Sequence, residues 1–173
     1  MMTTQIVPCT LGDLATLQRV SRQTFADTFG EANTPEDLAA YLDTAYSSQQ
    51  LTKELTQATT TFDFILVDGQ VAGYLKLNWD ASQSEPCGNQ SLEIERIYIL
   101  PAYKRQGLGR TLYQHAVERA QRLHKTTIWL GVWEHNRPAR KFYERMGFQQ
   151  IGDHVFQLGS DAQRDLILQT TLV

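Results

Sequence analysis

The most constraining stretch of this sequence runs from Ser91 to Leu123, where a strand, a proline stop, a glycine turn and an amphipathic helix follow one another without a gap. Ser91 to Leu100 is rich in strand formers. Leu92, Ile94, Ile97 and Ile99 nevertheless break strict alternation, which predicts a bulge or a change of buried face near Arg96. Pro101 ends the strand. Leu108, Leu112, Ala116, Ala120 and Leu123 then recur at helical spacing, so a helix of about four turns packs through one apolar stripe.

The flanking segments extend this unit into an α/β chain. Thr4 to Val7 reads as a short strand, and Thr10 with Asp13 is a capping signature ahead of a helix bearing Leu14, Leu17, Ser21 and Phe25. Thr34-Pro35 starts a second helix, and Ser47 with Gln50 starts a shorter third. Phe62 to Val67 and Val71 to Trp79 flank Asp68-Gly69-Gln70, a hairpin signal. Residues 80 to 90 are polar and aperiodic, which predicts a mobile surface connection. Thr126 to Val132 is a strand, Pro138 to Met146 a helix, and Phe148 to Leu158 and Arg164 to Thr171 two more strands. The expected architecture is one domain over residues 1–173, with a mixed sheet covered by helices.

Composition removes several classes of function. With 42% hydrophobic and 20% charged residues, the chain is globular rather than disordered. Its apolar runs are a few residues long against the roughly 20 that span a bilayer, so no membrane partner is expected. The first eight residues lack a secretion signal, which points to the cytoplasm. Cys9 and Cys87 have no metal-ligand spacing, so no metal is expected. A net charge of -3 argues against nucleic acid, although Lys104, Arg105, Arg110, Arg137, Arg140 and Lys141 keep that reading in view.

Two motifs carry chemistry. Tyr103-Lys104-Arg105-Gln106-Gly107-Leu108-Gly109-Arg110 joins the strand to the helix, and its glycines let backbone N–H groups approach a ligand. Free amides and a positive dipole at a helix start suit a pyrophosphate. The spacing is neither G-x-G-x-x-G nor a P-loop. About 30 residues on, Asn136 caps a helix that contains Phe142-Tyr143 and closes at Gly147-Phe148.

Taken together, the two motifs resemble the GNAT superfamily of acetyl-CoA-dependent N-acetyltransferases, with Lys104 in the first position of that family's Gln/Arg-x-x-Gly-x-Gly/Ala pattern. Thr24 to Gly30, Glu93 to Tyr98, Leu130 to Glu134 and His154 to Gly159 look like the PaiA-type polyamine acetyltransferases. The resemblance implies a largely antiparallel central sheet with helices on both faces, acetyl-CoA as co-substrate, and a small amine acceptor, foremost a polyamine. It is also compatible with a homodimer. By the same resemblance, Ile97, Tyr98 and Ile99 offer strand backbone to the pantetheine arm. Arg105, Gln106, Gly107, Leu108, Gly109 and Arg110 surround the pyrophosphate, while Asn136 and Tyr143 face the thioester.

Acyl transfer to an alkylammonium, with a pKa of about 10.4, requires assisted loss of a proton. Glu95 is the preferred base, with Glu93, Glu134 and His154 as alternatives. Tyr143 is the expected acid for the departing thiolate, and a backbone N–H around Ile97 to Ile99 would polarise the thioester carbonyl. Asp27, Glu31, Asp37, Asp43, Glu93, Glu95 and Glu134 are candidates for attracting a polycation, with Trp79, Trp133 or Tyr41 covering its methylenes. A peptide amino terminus or lysine as acceptor, or a non-catalytic CoA-binding regulator, are the competing readings.

Overall fold

In the computed structural model, which describes residues Met1–Val173, a seven-stranded sheet runs in the order β1-β2-β3-β4-β5-β7-β6. The strands are β1 (Thr4–Pro8), β2 (Thr60–Val67), β3 (Gln70–Trp79), β4 (Ser91–Ile99), β5 (Thr127–Trp133), β6 (Gln149–Leu158) and β7 (Asp161–Thr171). Every neighbouring pair is antiparallel except β4 and β5. Five helices cover it: α1 (Leu14–Phe29), α2 (Pro35–Ala45), α3 (Ser48–Leu55), α4 (Leu108–Arg122) and α5 (Arg137–Arg145). The expected caps form. Thr34 and Ser47 each accept a bond from the backbone N–H three residues on, at 3.1 Å.

Two apolar cores lie on opposite faces of the sheet. Leu17, Val20, Phe25, Leu42 and Leu51 from α1 to α3 pack with Phe62, Phe64 and Tyr74 on one side. On the other, Leu108, Leu112, Ala116 and Ala120 of α4 and Tyr143 of α5 pack with Leu75, Leu92, Ile94 and Ile128. This is the helix-on-both-faces arrangement expected from the sequence.

The predicted irregularity in β4 is a bulge at Glu95. Lys76 pairs with Arg96, but the next residue, Leu77, pairs with Ile94, leaving Glu95 unopposed. The extra residue shifts the phase, so Ile97 and Ile99 join Leu92 and Ile94 on the α4 side. Arg96 is sent to the other side, over the Tyr46 ring at 4.9 Å. A second irregularity lies beside it. The β4–β5 pairing covers only Ser91 to Glu93 against Thr127 to Trp129. Beyond that point β4 stays with β3 and β5 stays with β7, so a wedge opens between them.

The connection at 80–90 is fastened rather than loose: Lys125 Nζ reaches Asp80 Oδ1 and the Asn89 carbonyl, both at 2.6 Å. Trp129 Nε1 donates to Gln83 Oε1 at 2.8 Å, and the Thr59 and Ser82 hydroxyls meet at 2.6 Å. All these anchors are distant in sequence, which is why local composition conceals them.

A buried charge network holds the bulge to α3. Lys76 and Glu54 are each only 4% exposed. Lys76 Nζ lies 2.5 Å from both Glu54 Oε1 and Glu95 Oε2, and Arg96 reaches the same two oxygens at 3.1 and 3.4 Å. Burial alone would raise the Glu54 carboxyl; Arg96, Lys76 and Gln50 override it and hold the group below its usual range. A depressed carboxylate contributes stability that is present above its unfolded pKa, about 4.3, and lost as pH falls through the lower folded value. Lys76→Met should therefore lower the unfolding free energy by about 3 kcal/mol at neutral pH. In urea titrations, the gap from wild type should narrow in acid as Glu54 takes up its proton.

Candidate active site

The wedge between β4 and β5 continues as a cleft of about 1110 Å³. One end is the turn that leads into α4, and the other is walled by α1, α2 and β6.

At the first end, Arg105 (φ 64°) and Gly107 (φ 77°) are both left-handed, which turns the chain sharply into the helix. Gly107 is the N-cap of α4 and supplies no side-chain bond to it. The amides of Leu108, Gly109 and Arg110 consequently have no partner within the helix, and the dipole adds positive potential there. No atom lies within 4 Å of the place a Gly107 Cβ would take, so the turn is open to a ligand. Lys104, Arg105 and Arg110 line the same end. This donor set fits a diphosphate. Leu108 contributes backbone only, because its side chain is in the core. Gln106 is exposed and is not among the residues that line the cleft.

Midway along, Ile97, Tyr98 and Ile99 present the edge of β4 that β5 has left. Tyr143 faces them from α5. Its ring stacks edge-on against Phe142 and Phe148, with centroids at 5.3 and 5.5 Å. Burial pushes the phenol well above its usual range, so it keeps its proton at neutral pH. Asn136 also lines the cleft, but its Oδ1 is engaged in capping α5 through the Ala139 N–H at 3.3 Å.

Two carboxylates of β4 meet at Asn78, whose Nδ2 donates to Glu93 Oε1 at 3.0 Å and Glu95 Oε1 at 3.2 Å. Their surroundings differ. Glu95 is paired with Lys76 and Arg96 through Oε2. Glu93 has no cation against it; it accepts from the Ser84 N–H at 2.8 Å and from the Ser84 hydroxyl. Burial raises the Glu93 carboxyl, against the lowering by Asn78 and Ser84.

Across the cleft, His154 stands between Glu85 (Nδ1 to Oε1, 3.4 Å) and Asp165 (Nε2 to Oδ2, 3.7 Å). Gly131 makes room for that pair, since a Cβ there would lie 3.4 Å from the imidazole. Burial raises the Asp165 carboxyl, opposed by His154. Phe25, Phe29, Tyr41, Trp133 and Phe156 complete this end.

Several residues singled out in the sequence lie elsewhere. Glu31, Asp37, Asp43, Glu134 and Trp79 do not line the cleft. Asp43 pairs with Arg22, Asp37 accepts from Ser160, and Glu134 pairs with Arg164 and His135. Arg137, Arg140 and Lys141 border a separate depression with Glu144. Conversely, Ser84, Glu85 and Asp165 are in the site and were not anticipated. Only the strand register, which sets His154 opposite Asp165, could have signalled the last. No cluster of three or more His, Cys, Asp or Glu side chains is placed to hold a metal ion, and no helix is long and apolar enough to cross a membrane.

Comparison with known proteins agrees with this fold. The acetyltransferase (GNAT) family profile matches residues 22–148. A Lactobacillus delbrueckii subsp. lactis protein, described as an uncharacterised N-acetyltransferase, is 43% identical over 169 residues, covering 98% of each chain. A spermidine N(1)-acetyltransferase of Thermoplasma acidophilum is 23% identical over 152 residues, 86% of this chain and 89% of that one. The crystal structure of a PaiA N-acetyltransferase from Thermoplasma acidophilum, in complex with coenzyme A, has the same fold. Its TM-score is 0.81 at 21% identity, over 98% of this chain and 99% of that one. A profile match over most of the sequence and an almost full-length relative at 43% identity place this chain in the GNAT family, as an acetyl-CoA-dependent N-acetyltransferase.

Proposed function

We propose that the chain acetylates a primary amine of a small polycation, a polyamine such as spermidine or spermine, by direct attack in a ternary complex. The observation that carries this reading is the acceptor end of the cleft. Asp27, Glu85, Glu93, Glu95 and Asp165 line it together with the aromatic side chains of Phe25, Phe29, Tyr41, Trp133 and Phe156. Carboxylates suit ammonium groups, and aromatic faces suit the methylenes between them. The likeness to the Thermoplasma spermidine acetyltransferase supports the same acceptor class. A cytoplasmic setting belongs to the proposal, and free Cys9 and Cys87 suit it.

Acetyl-CoA supplies an acetyl group activated as a thioester. The amides of Leu108 to Arg110, with Lys104, Arg105 and Arg110, hold its diphosphate. The free edge of β4 at Ile97 to Ile99 orients the pantetheine arm and directs an N–H at the thioester carbonyl. Glu95, the base favoured by the sequence, is held by two cations and serves as a fixed anion that orients the ammonium. Proton uptake falls to Glu93, whose raised carboxyl gains a proton more readily. Tyr143 Oη gives its proton to the departing sulfur.

A panel of spermidine, spermine, peptides with free amino termini and lysine peptides, read by CoA release, tests the acceptor. Polyamines should turn over and peptides should not; the reverse pattern contradicts the proposal. Tyr143→Phe should reduce kcat by about a hundredfold while leaving acetyl-CoA affinity unchanged by calorimetry. Undiminished turnover, with chemistry rate limiting, removes Tyr143 from the acid role.

A further inference from the structure

Glu93 is only 2% exposed, so a substrate ammonium in the cleft has little direct access to it. Its Oε1 is already occupied by the side chain of Asn78 and the N–H of Ser84. The other oxygen, Oε2, has one hydrogen-bond partner, the Ser84 hydroxyl. Ser84 is itself exposed and lies on the cleft wall. Both residues line the cleft, and the exposed Ser84 hydroxyl is the one hydrogen-bond partner of the buried Oε2.

We infer that Ser84 is a catalytic proton relay, passing the proton of the acceptor ammonium to Glu93. An ammonium N–H bond breaks and its proton goes to Ser84 Oγ, directly or through one water, while the Ser84 O–H proton moves to Glu93 Oε2. Charge balances: the ammonium becomes a neutral amine and Glu93 becomes a carboxylic acid. The nitrogen lone pair is then free to attack the thioester carbonyl carbon. This step rests on the proposed acetyl transfer.

The fold holds Ser84 for such work. Its own N–H is fixed on Glu93, and the preceding Gln83 is anchored to Trp129 on β5 and to the Gly88 carbonyl. The charged and titratable groups around Glu93 are few. Glu95 lies on its own strand, with its charge met by Lys76 and Arg96. From the 80–90 connection come Cys87 and Glu85, and Glu85 faces His154, which faces Asp165 in turn. Because burial raises the Glu93 carboxyl, falling pH fills the acceptor before it would fill an ordinary carboxylate. The relay therefore fails from the acid side.

Ser84→Ala and Ser84→Thr, assayed with the amine that wild type uses best, separate a relay from a merely structural bond. Ser84→Ala should lose roughly tenfold to a hundredfold in kcat at neutral pH, and Ser84→Thr should retain most activity. The deficit should close as pH approaches about 10, where the amine is deprotonated without help. Acetyl-CoA affinity, measured by calorimetry, should match wild type in both variants and certifies their folding. A deficit of constant size across pH, no deficit, or a threonine variant as impaired as the alanine variant overturns the relay. An enzyme inactive on every amine defeats the acetyl-transfer reading and the relay with it; with an active wild type, the variants bear on the relay alone.

Discussion

Past Glu93 and Trp129 the two parallel strands at the middle of the sheet separate, and the cleft depends on that separation. A strand that loses its neighbour exposes backbone N–H and C=O groups that must find another partner. In the proposed complex that partner is the pantetheine arm of acetyl-CoA. The bulge at Glu95 lies just where the β4–β5 pairing stops, and the cleft ends at the uncapped start of α4. A long, flexible thioester donor can lie along the strand edge with its diphosphate on the helix amides. In that proposed pose its reactive end lies beside Tyr143, which lines the same cleft.

The same bulge concentrates charge where charge is hardest to bury. Two cations and two carboxylates from α3, β3 and β4 satisfy one another, and a third carboxylate stands a residue away without a cation. Glu54 is held below its usual range and Glu93 above it, although both are buried. Environment rather than residue type sets the two directions. One anion is tied into an ion-pair network, and the other is the proton acceptor of the proposed mechanism.

Most of this architecture is legible in the sequence because its signals are local. The capping residues Thr34 and Ser47, the hairpin around Gly69, and the apolar stripe from Leu108 to Ala120 all depend on neighbours within a few positions. Even the bulge is announced, since Ile94 and Ile97 cannot share a face of a regular strand. What the sequence hides is every pairing between distant segments. Glu95 is paired with Lys76 and Arg96, and neither partner is signalled by its own stretch of sequence. Glu134 lies among motif residues yet turns to Arg164. The connection at 80–90 carries no periodicity, and its contribution of Ser84 and Glu85 depends on anchors as remote as Trp129, Lys125 and His154.

Amide hydrogen exchange, followed with and without acetyl-CoA, addresses the split sheet most directly. If the donor lies in the wedge, protection should appear at Ile97 to Ile99 and across residues 105 to 110, with little change on the paired edges of β6 and β7. Saturable binding that leaves those amides unprotected, and protects the depression bordered by Arg137, Arg140 and Lys141 instead, would contradict the account.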